Sequence, residues 1–117
     1  METIYTKEQA EIANKLVGVL DSKFFKSLSE PVRVEIIRYL ILHGRADIGT
    51  IAKDLPQDRS VISRHLNLMQ DVGILNCEKE SRHMYYSINA SEFLNRFTNI
   101  AALVGKCIKE CGPLCCK

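Results

Sequence analysis

The chain has 117 residues with a formal net charge of +2, so a single domain with a modest core is the expected size class. Its 46% hydrophobic content is ordinary for a soluble fold, and no apolar run approaches a membrane span. No Ser-His-Asp set, paired carboxylates or phosphate-cradling glycines occur, which argues against catalysis; Met1-Glu2-Thr3-Ile4-Tyr5 is neither a signal nor a transit peptide, so a cytoplasmic protein is expected.

The first predicted helix runs from Thr6, a plausible cap, to about Val19. Its apolar positions, Ala10, Ile12, Ala13, Leu16, Val17 and Leu20, are too many for a lone surface helix and suggest packing on a second subunit. Asp21-Ser22 interrupts, and Ser29-Glu30-Pro31 signals a second start with Ser29 as cap and Pro31 in the first turn. Val34, Ile37, Leu40 and Ile41 carry that helix to His43-Gly44.

Asp47 caps the next segment, Ile48 to Leu55, which Leu55-Pro56-Gln57 closes. Asp58 then opens a short helix reaching Met69. Val61, Ile62, Leu66 and Met69 give it a buried side, and Arg59, Ser60, Ser63, Arg64 and Asn67 give it a polar side able to reach phosphates or base edges. The pair has the form of a helix-turn-helix. A solvated amphipathic hairpin would show much the same pattern, so these residues alone do not decide.

Gly73 is placed to end that helix, after which the hydrophobic period changes to two. Ile74 to Lys79 and Met84 to Ile88 read as strands joined by Glu80-Ser81-Arg82-His83. A hairpin in this position is a wing, with Arg82 and His83 at a tip that could meet the phosphate backbone. Basic residues concentrate in this central block (Arg59, Arg64, His65, Lys79, Arg82, His83), while Glu2, Glu8 and Glu11 lie near the start.

Ser91 is expected to cap a last helix ending at Cys111-Gly112-Pro113, again with a broad apolar surface: Phe93, Leu94, Phe97, Ile100, Leu103, Val104 and Ile108. With the first helix it would form a homodimer interface around a central reader. The expected class is therefore mainly α with a small β-hairpin. It forms a single domain over 1–117, with a core at 24–90, dimerisation helices at 6–20 and 91–111, and a cysteine-rich tail at 107–117.

Four of the five cysteines, Cys107, Cys111, Cys115 and Cys116, crowd that tail. A secreted disulfide scaffold would spread them to close loops, whereas clustered thiols in a reducing compartment suggest metal binding or redox sensing. Cys107 and Cys111 stand at i and i+4, about 6 Å apart at Cβ on one helix face. With a turn at Gly112-Pro113, Cys115 or Cys116 would fold back as a third sulfur. Such a set suits a soft, thiophilic ion: trivalent arsenic or antimony with three thiolates, or cadmium, lead or zinc with three or four. A thiol redox switch is an alternative, and a small thiol-rich metal-binding protein is a rival from another class. Cys77, on a strand with Leu75 on the same face, reads as a small buried hydrophobe. His43, His65 and His83 do not form a metal set.

Several segments together resemble the ArsR/SmtB family of winged-helix metal-responsive repressors. They are Phe25-Lys26-Ser27-Leu28-Ser29-Glu30-Pro31-Val32-Arg33, Ile48-Gly49-Thr50-Ile51-Ala52, Val61-Ile62-Ser63-Arg64-His65-Leu66, Val72-Gly73-Ile74-Leu75 and Arg82-His83-Met84-Tyr85-Tyr86-Ser87-Ile88. The resemblance implies a homodimer that occupies operator DNA and leaves it when an inducer binds. It implies DNA contacts at Arg59, Ser60, Ser63, Arg64, His65 and, in the wing, Arg82. Arg59 stands where the family commonly has Gln, so base preference does not carry over. The Cys-Val-Cys of one arsenic-sensing type is absent from Ile48 to Ala52, and the Asp and His ligands of one zinc-sensing type are absent from Glu92 to Cys111. The tail is similar to that of members that bind arsenite near the C-terminus, which makes As(III) the expected inducer. One redox-sensing type pairs a cysteine of the second helix with one of the last, and Phe24 to Leu42 has none.

Overall fold

The computed structural model describes residues 4–115, with side chains through residue 112. Six helices and three strands follow in the order α1 (Lys7–Leu20), α2 (Lys23–Ser27), α3 (Pro31–His43), β1 (Ala46–Asp47), α4 (Ile48–Lys53), α5 (Arg59–Asp71), β2 (Leu75–Glu80), β3 (His83–Ile88) and α6 (Ala90–Cys115). The chain divides into two units, one of residues 23–93 and one of residues 1–22 with 94–117.

In the first unit the core is built from every element it contains. Phe24, Ile36, Leu40, Ile51, Ile62, Leu66, Met69, Ile74 and Leu75 are buried almost completely, and Phe24 meets Phe25 and Phe93 edge to face at 5.2 Å. The three strands form one antiparallel sheet in the order β1-β3-β2. The hairpin is tighter than expected. Glu80 pairs with His83, so the loop is only Ser81-Arg82, and Ser81 takes φ +54° as a two-residue turn demands. The two-residue β1, which pairs Ala46 with Tyr86 and Asp47 with Tyr85, was too short to show a period in the sequence.

Local signals explain most of the boundaries. Thr6 and Gln9 form a reciprocal capping box on α1, and Asp47 caps α4 through its bond from the Thr50 amide at 2.9 Å. Gly73, at φ +90°, completes a Schellman turn after α5. Its amide bonds the Gln70 carbonyl at 3.1 Å, and the Ile74 amide bonds that of Met69 at 2.8 Å. Two expected caps shift by a residue or two. Glu30, not Ser29, caps α3 by accepting from the Val32 amide, while Ser29 donates to the Lys26 carbonyl. Asn89 accepts from the Glu92 amide at the start of α6, and Ser91 donates to the same Asn89 oxygen.

The second unit holds α1 and residues 94–115 of α6. Here one expectation is corrected: α6 does not end at Cys111-Gly112-Pro113 but continues through Cys115. Gly112 remains helical, and Pro113 removes one hydrogen bond by lacking an amide hydrogen, but its fixed φ is compatible with the helix. Gln9 Nε2 donates to the Glu110 carbonyl at 2.7 Å, tying this end of α6 to α1. No described helix is long and apolar enough to cross a membrane.

Two substitutions test this packing. Leu66→Ala removes a fully buried side chain and is expected to cost about 2–5 kcal/mol in urea unfolding. Gly73→Ala is expected to cost about 1–2 kcal/mol through the left-handed backbone alone, because a Cβ there meets Glu92 Cγ at an ordinary 3.5 Å.

Candidate nucleic-acid interface and thiol cluster

Helix α5 presents its polar residues because the opposite side is fixed. Ile62, Leu66 and Met69, spaced i, i+4 and i+7, are wholly buried, which leaves Arg59, Ser60 and Arg64 exposed and Ser63 half-buried. Asp58 has the extended backbone of an N-cap, yet its side chain makes no capping bond. Arg82 is exposed at the hairpin loop.

His65 is held differently from its neighbours on α5. It is half-buried, and its Nδ1 accepts a hydrogen bond from Arg33 Nε at 3.2 Å; Arg33 also donates to the Ser27 carbonyl at 3.4 Å. That bond requires a neutral ring with its proton on Nε2, the donor left for an outside acceptor. Burial and the adjacent Arg33 charge hold the His65 pKa below its usual value. Arg33 was visible in the sequence only as the end of the Phe25 to Arg33 segment; nothing in its spacing linked it to His65.

The base of the wing is tied to the start of α4 through Asp47. One carboxylate oxygen accepts from the Thr50 amide, and the other lies 3.2 Å from His83 Nδ1. Arg59 Nη1 lies 3.8 Å from where a Cβ on Gly49 would stand, which brings its charge over the same helix start. The Thr50 hydrogen bonds, helped by His83 and Arg59, hold the Asp47 carboxyl below the usual range. His83 is thus engaged at the sheet and not at the loop tip, where the sequence placed it. Arg45 braces the same strands, 2.9 Å from Glu80 and stacked 4.1 Å over the Tyr85 ring. Neither link carries a sequence signal, since the sheet register creates both.

Cys107 and Cys111 are both half-buried on α6. Continuation of the helix places Cys115 at the next i+4 position, with its side chain outside the described residues; Cys116 lies outside them altogether. Among the described residues no group of three or more His, Cys, Asp and Glu gathers in a way that could hold a metal ion. Cys77 is half-buried against the core opposite Tyr86, and His43 stacks on Tyr39 at 4.3 Å.

The His65 bond gives a pH test. A histidine whose pKa is lowered on folding contributes stability that is full above its unfolded value of 6.5 and is lost as pH falls toward the folded value. Between about pH 7.5 and pH 5.5 the wild-type chain should lose more unfolding free energy than His65→Gln, which keeps an acceptor without a titration. Equal losses measured by urea titration at both pH values would refute the role given to His65.

Similarity to known proteins follows the same lines. Residues 30–76 match the family described as "Bacterial regulatory protein, arsR family". A cadmium resistance transcriptional regulatory protein CadC homolog of Staphylococcus aureus is 34% identical over 68 residues, 58% of this chain and 56% of that protein. The chain thus spans little more than half of that relative's length. The transcriptional repressor SdpR of Bacillus subtilis is 30% identical over 67 residues, 57% of this chain and 73% of that protein. In fold, the chain is similar to the homodimeric winged helix-turn-helix DNA-binding domain of a possible ArsR-family regulator from Mycobacterium bovis. The TM-score is 0.58 at 18% identity, covering 91% of this chain and 92% of that one. The winged helix-turn-helix found here is therefore that of a regulator and not of an enzyme, and the chain belongs to the arsR family of bacterial regulatory proteins.

Proposed function

We propose that this protein is a homodimeric repressor that holds operator DNA through α5 and the β2–β3 wing, and releases it when trivalent arsenic is captured by the cysteines of α6. The observation that carries the reading is a division of labour along the chain: exposed Arg59, Ser60 and Arg64 on a helix pinned from behind, and paired thiols four residues apart on another helix. Arg59, Ser60, Ser63 and Arg64 would meet phosphates and base edges, Arg82 the backbone beside them, and His65 would add its Nε2 donor. Uncapped amides at the start of α5 favour a phosphate there as well.

Dimerisation is supported by the exposed apolar residues of the second unit. In α1 no residue is buried, and Val17, Leu20, Leu94, Phe97, Val104 and Ile108 are between 40% and 69% exposed. Such a surface matches a second copy better than water. The M. bovis domain is homodimeric, which points the same way.

Cys107 and Cys111 offer two thiolates to one ion. Antimony(III) would be held like arsenic. A third sulfur, from Cys115 or Cys116, requires the last turn of α6 to open, because Cys107 and Cys115 are about 12 Å apart along an intact helix. Pro113, which leaves the Lys109 carbonyl without its helical donor, is a weak point for such opening. Binding would thereby reshape a helix of the proposed dimer interface and change the spacing of the two readers. The S. aureus relative, a cadmium resistance regulator, favours cadmium as a second reading, with lead and zinc behind it. Its distinguishing mark is release by Cd(II) at concentrations where arsenite has no effect.

The test is operator release. Arsenite added to reduced protein on the DNA upstream of its own gene should dissociate the complex in a gel shift. Cys107→Ser or Cys111→Ser should bind DNA normally and fail to release; normal release by the double variant contradicts the site. Arg64→Ala should weaken binding and lower the salt-dependence slope by about one unit if Arg64 meets a phosphate. An unchanged slope removes it from that role.

A further inference from the structure

Among the polar residues of α5, His65 differs in where it sits and in what holds it. Three residues on from buried Ile62, it lies about 60° from that side chain around the helix, whereas Ser60 and Arg64 lie opposite. A residue on such a flank meets the wall of a groove, where the phosphates are, before it meets base edges. Its Nδ1 is taken by Arg33 Nε at 3.2 Å, and Arg33 Nη1 is anchored in turn on the Ser27 carbonyl at 3.4 Å. His65 Nε2 has no partner among the described residues, and no unpartnered side-chain nitrogen or oxygen is buried among them. The second ring nitrogen therefore reaches the surface.

A neutral imidazole can carry its proton on either nitrogen, so an unrestrained ring is a donor at Nε2 only part of the time. A donor aimed at Nδ1 removes the choice: Nδ1 accepts and Nε2 carries the hydrogen. We propose that Arg33 is a positioning residue for operator binding, which fixes His65 as a neutral donor whose Nε2–H meets a phosphate oxygen. The proposal rests on α5 as the DNA-facing helix and adds a residue from α3 that acts without touching DNA.

The charges around the ring favour the same state. Burial opposes a second proton most and the Arg33 charge next, with Arg64 adding to both and Glu30, the N-cap of α3, working the other way. At neutral pH the contact is thus a hydrogen bond that brings no charge to the phosphate, unlike that of Arg64.

Operator affinity of the full reduced chain, measured by fluorescence anisotropy at pH 7.5 over a salt series, gives the first readout. His65→Ala and Arg33→Met should each weaken binding by about tenfold, the scale of one hydrogen bond to a charged group. The double variant should lose no more than either single one. All three should keep the wild-type salt slope, while Arg64→Ala lowers it by about one unit. Arg33→Lys keeps the charge but carries its donor one atom farther out, so it should lose as much as Arg33→Met, and the result does not hinge on one variant's folding. Ring-nitrogen NMR gives the second readout: wild-type His65 should show a protonated Nε2 and a bare Nδ1, and Arg33→Met a mixture of both forms. Additive losses in the double variant, or a wild-type proton on Nδ1, overturn the proposal. So does a salt slope lowered by Arg33→Met, since Arg33 would then meet DNA itself. If Arg64→Ala weakens binding and the His65 and Arg33 variants do not, the proposal fails while DNA binding through α5 stands. If none of these variants changes binding, α5 is not the DNA-facing helix and the proposal falls with it.

Discussion

Burial of Ile62, Leu66 and Met69 is the constraint on which the presentation of the polar side of α5 depends. These three side chains fix the rotation of α5 about its own axis, so that Arg59, Ser60 and Arg64 have only one direction to face. A rotation by one residue, about 100°, would put a guanidinium into the core and cost far more than any surface contact returns. The Schellman turn at Gly73 extends this control, because Ile74 is buried next to Met69 and starts the hairpin in a set direction. From there the register of β2 with β3 carries Arg82 to the loop, while β1 brings Asp47 beside His83.

The polar links around this core hold α3 to α5 and the start of α4 to the wing. Arg33 joins α3 to α5 through His65, and Asp47 joins the start of α4 to the wing. Arg45, outside the helices, couples the loop before β1 to Glu80 and Tyr85. Each contact is at least partly exposed, so none is a large contributor to stability. Their effect is orientation, which is what a protein needs if it must present a helix and a hairpin to one stretch of duplex.

Much of this was legible in the sequence, and the failures have physical causes. Period and caps placed the long helices because Thr6, Asp47 and Gly73 act through bonds only a few residues away. Gly112-Pro113 reads as the end of α6 because glycine and proline usually terminate a helix. Neither residue forbids one, and the Gln9 bond to Glu110 that holds this end comes from residues over a hundred positions away. The short β1 and the Arg33–His65 bond were invisible for the same reason, since both exist only once distant segments meet. His83 reads as a loop residue because a two-residue turn and a four-residue turn look alike until the register is known. At the thiol cluster the residue types and the i, i+4 spacing were plain. What the sequence withheld was the continuation of the helix, and with it the distance between the first and third cysteines.

The central claim is that thiol capture on α6 and DNA binding through α5 are two faces of one equilibrium. Linkage then requires reciprocity: arsenite must weaken operator binding by the same factor by which operator DNA weakens arsenite binding. The direct measurement is a pair of titrations on the reduced wild-type chain, arsenite affinity with and without saturating operator, and operator affinity with and without saturating arsenite. Equal factors well above one are the predicted result. An arsenite affinity indifferent to DNA, while the protein binds both, would contradict the account.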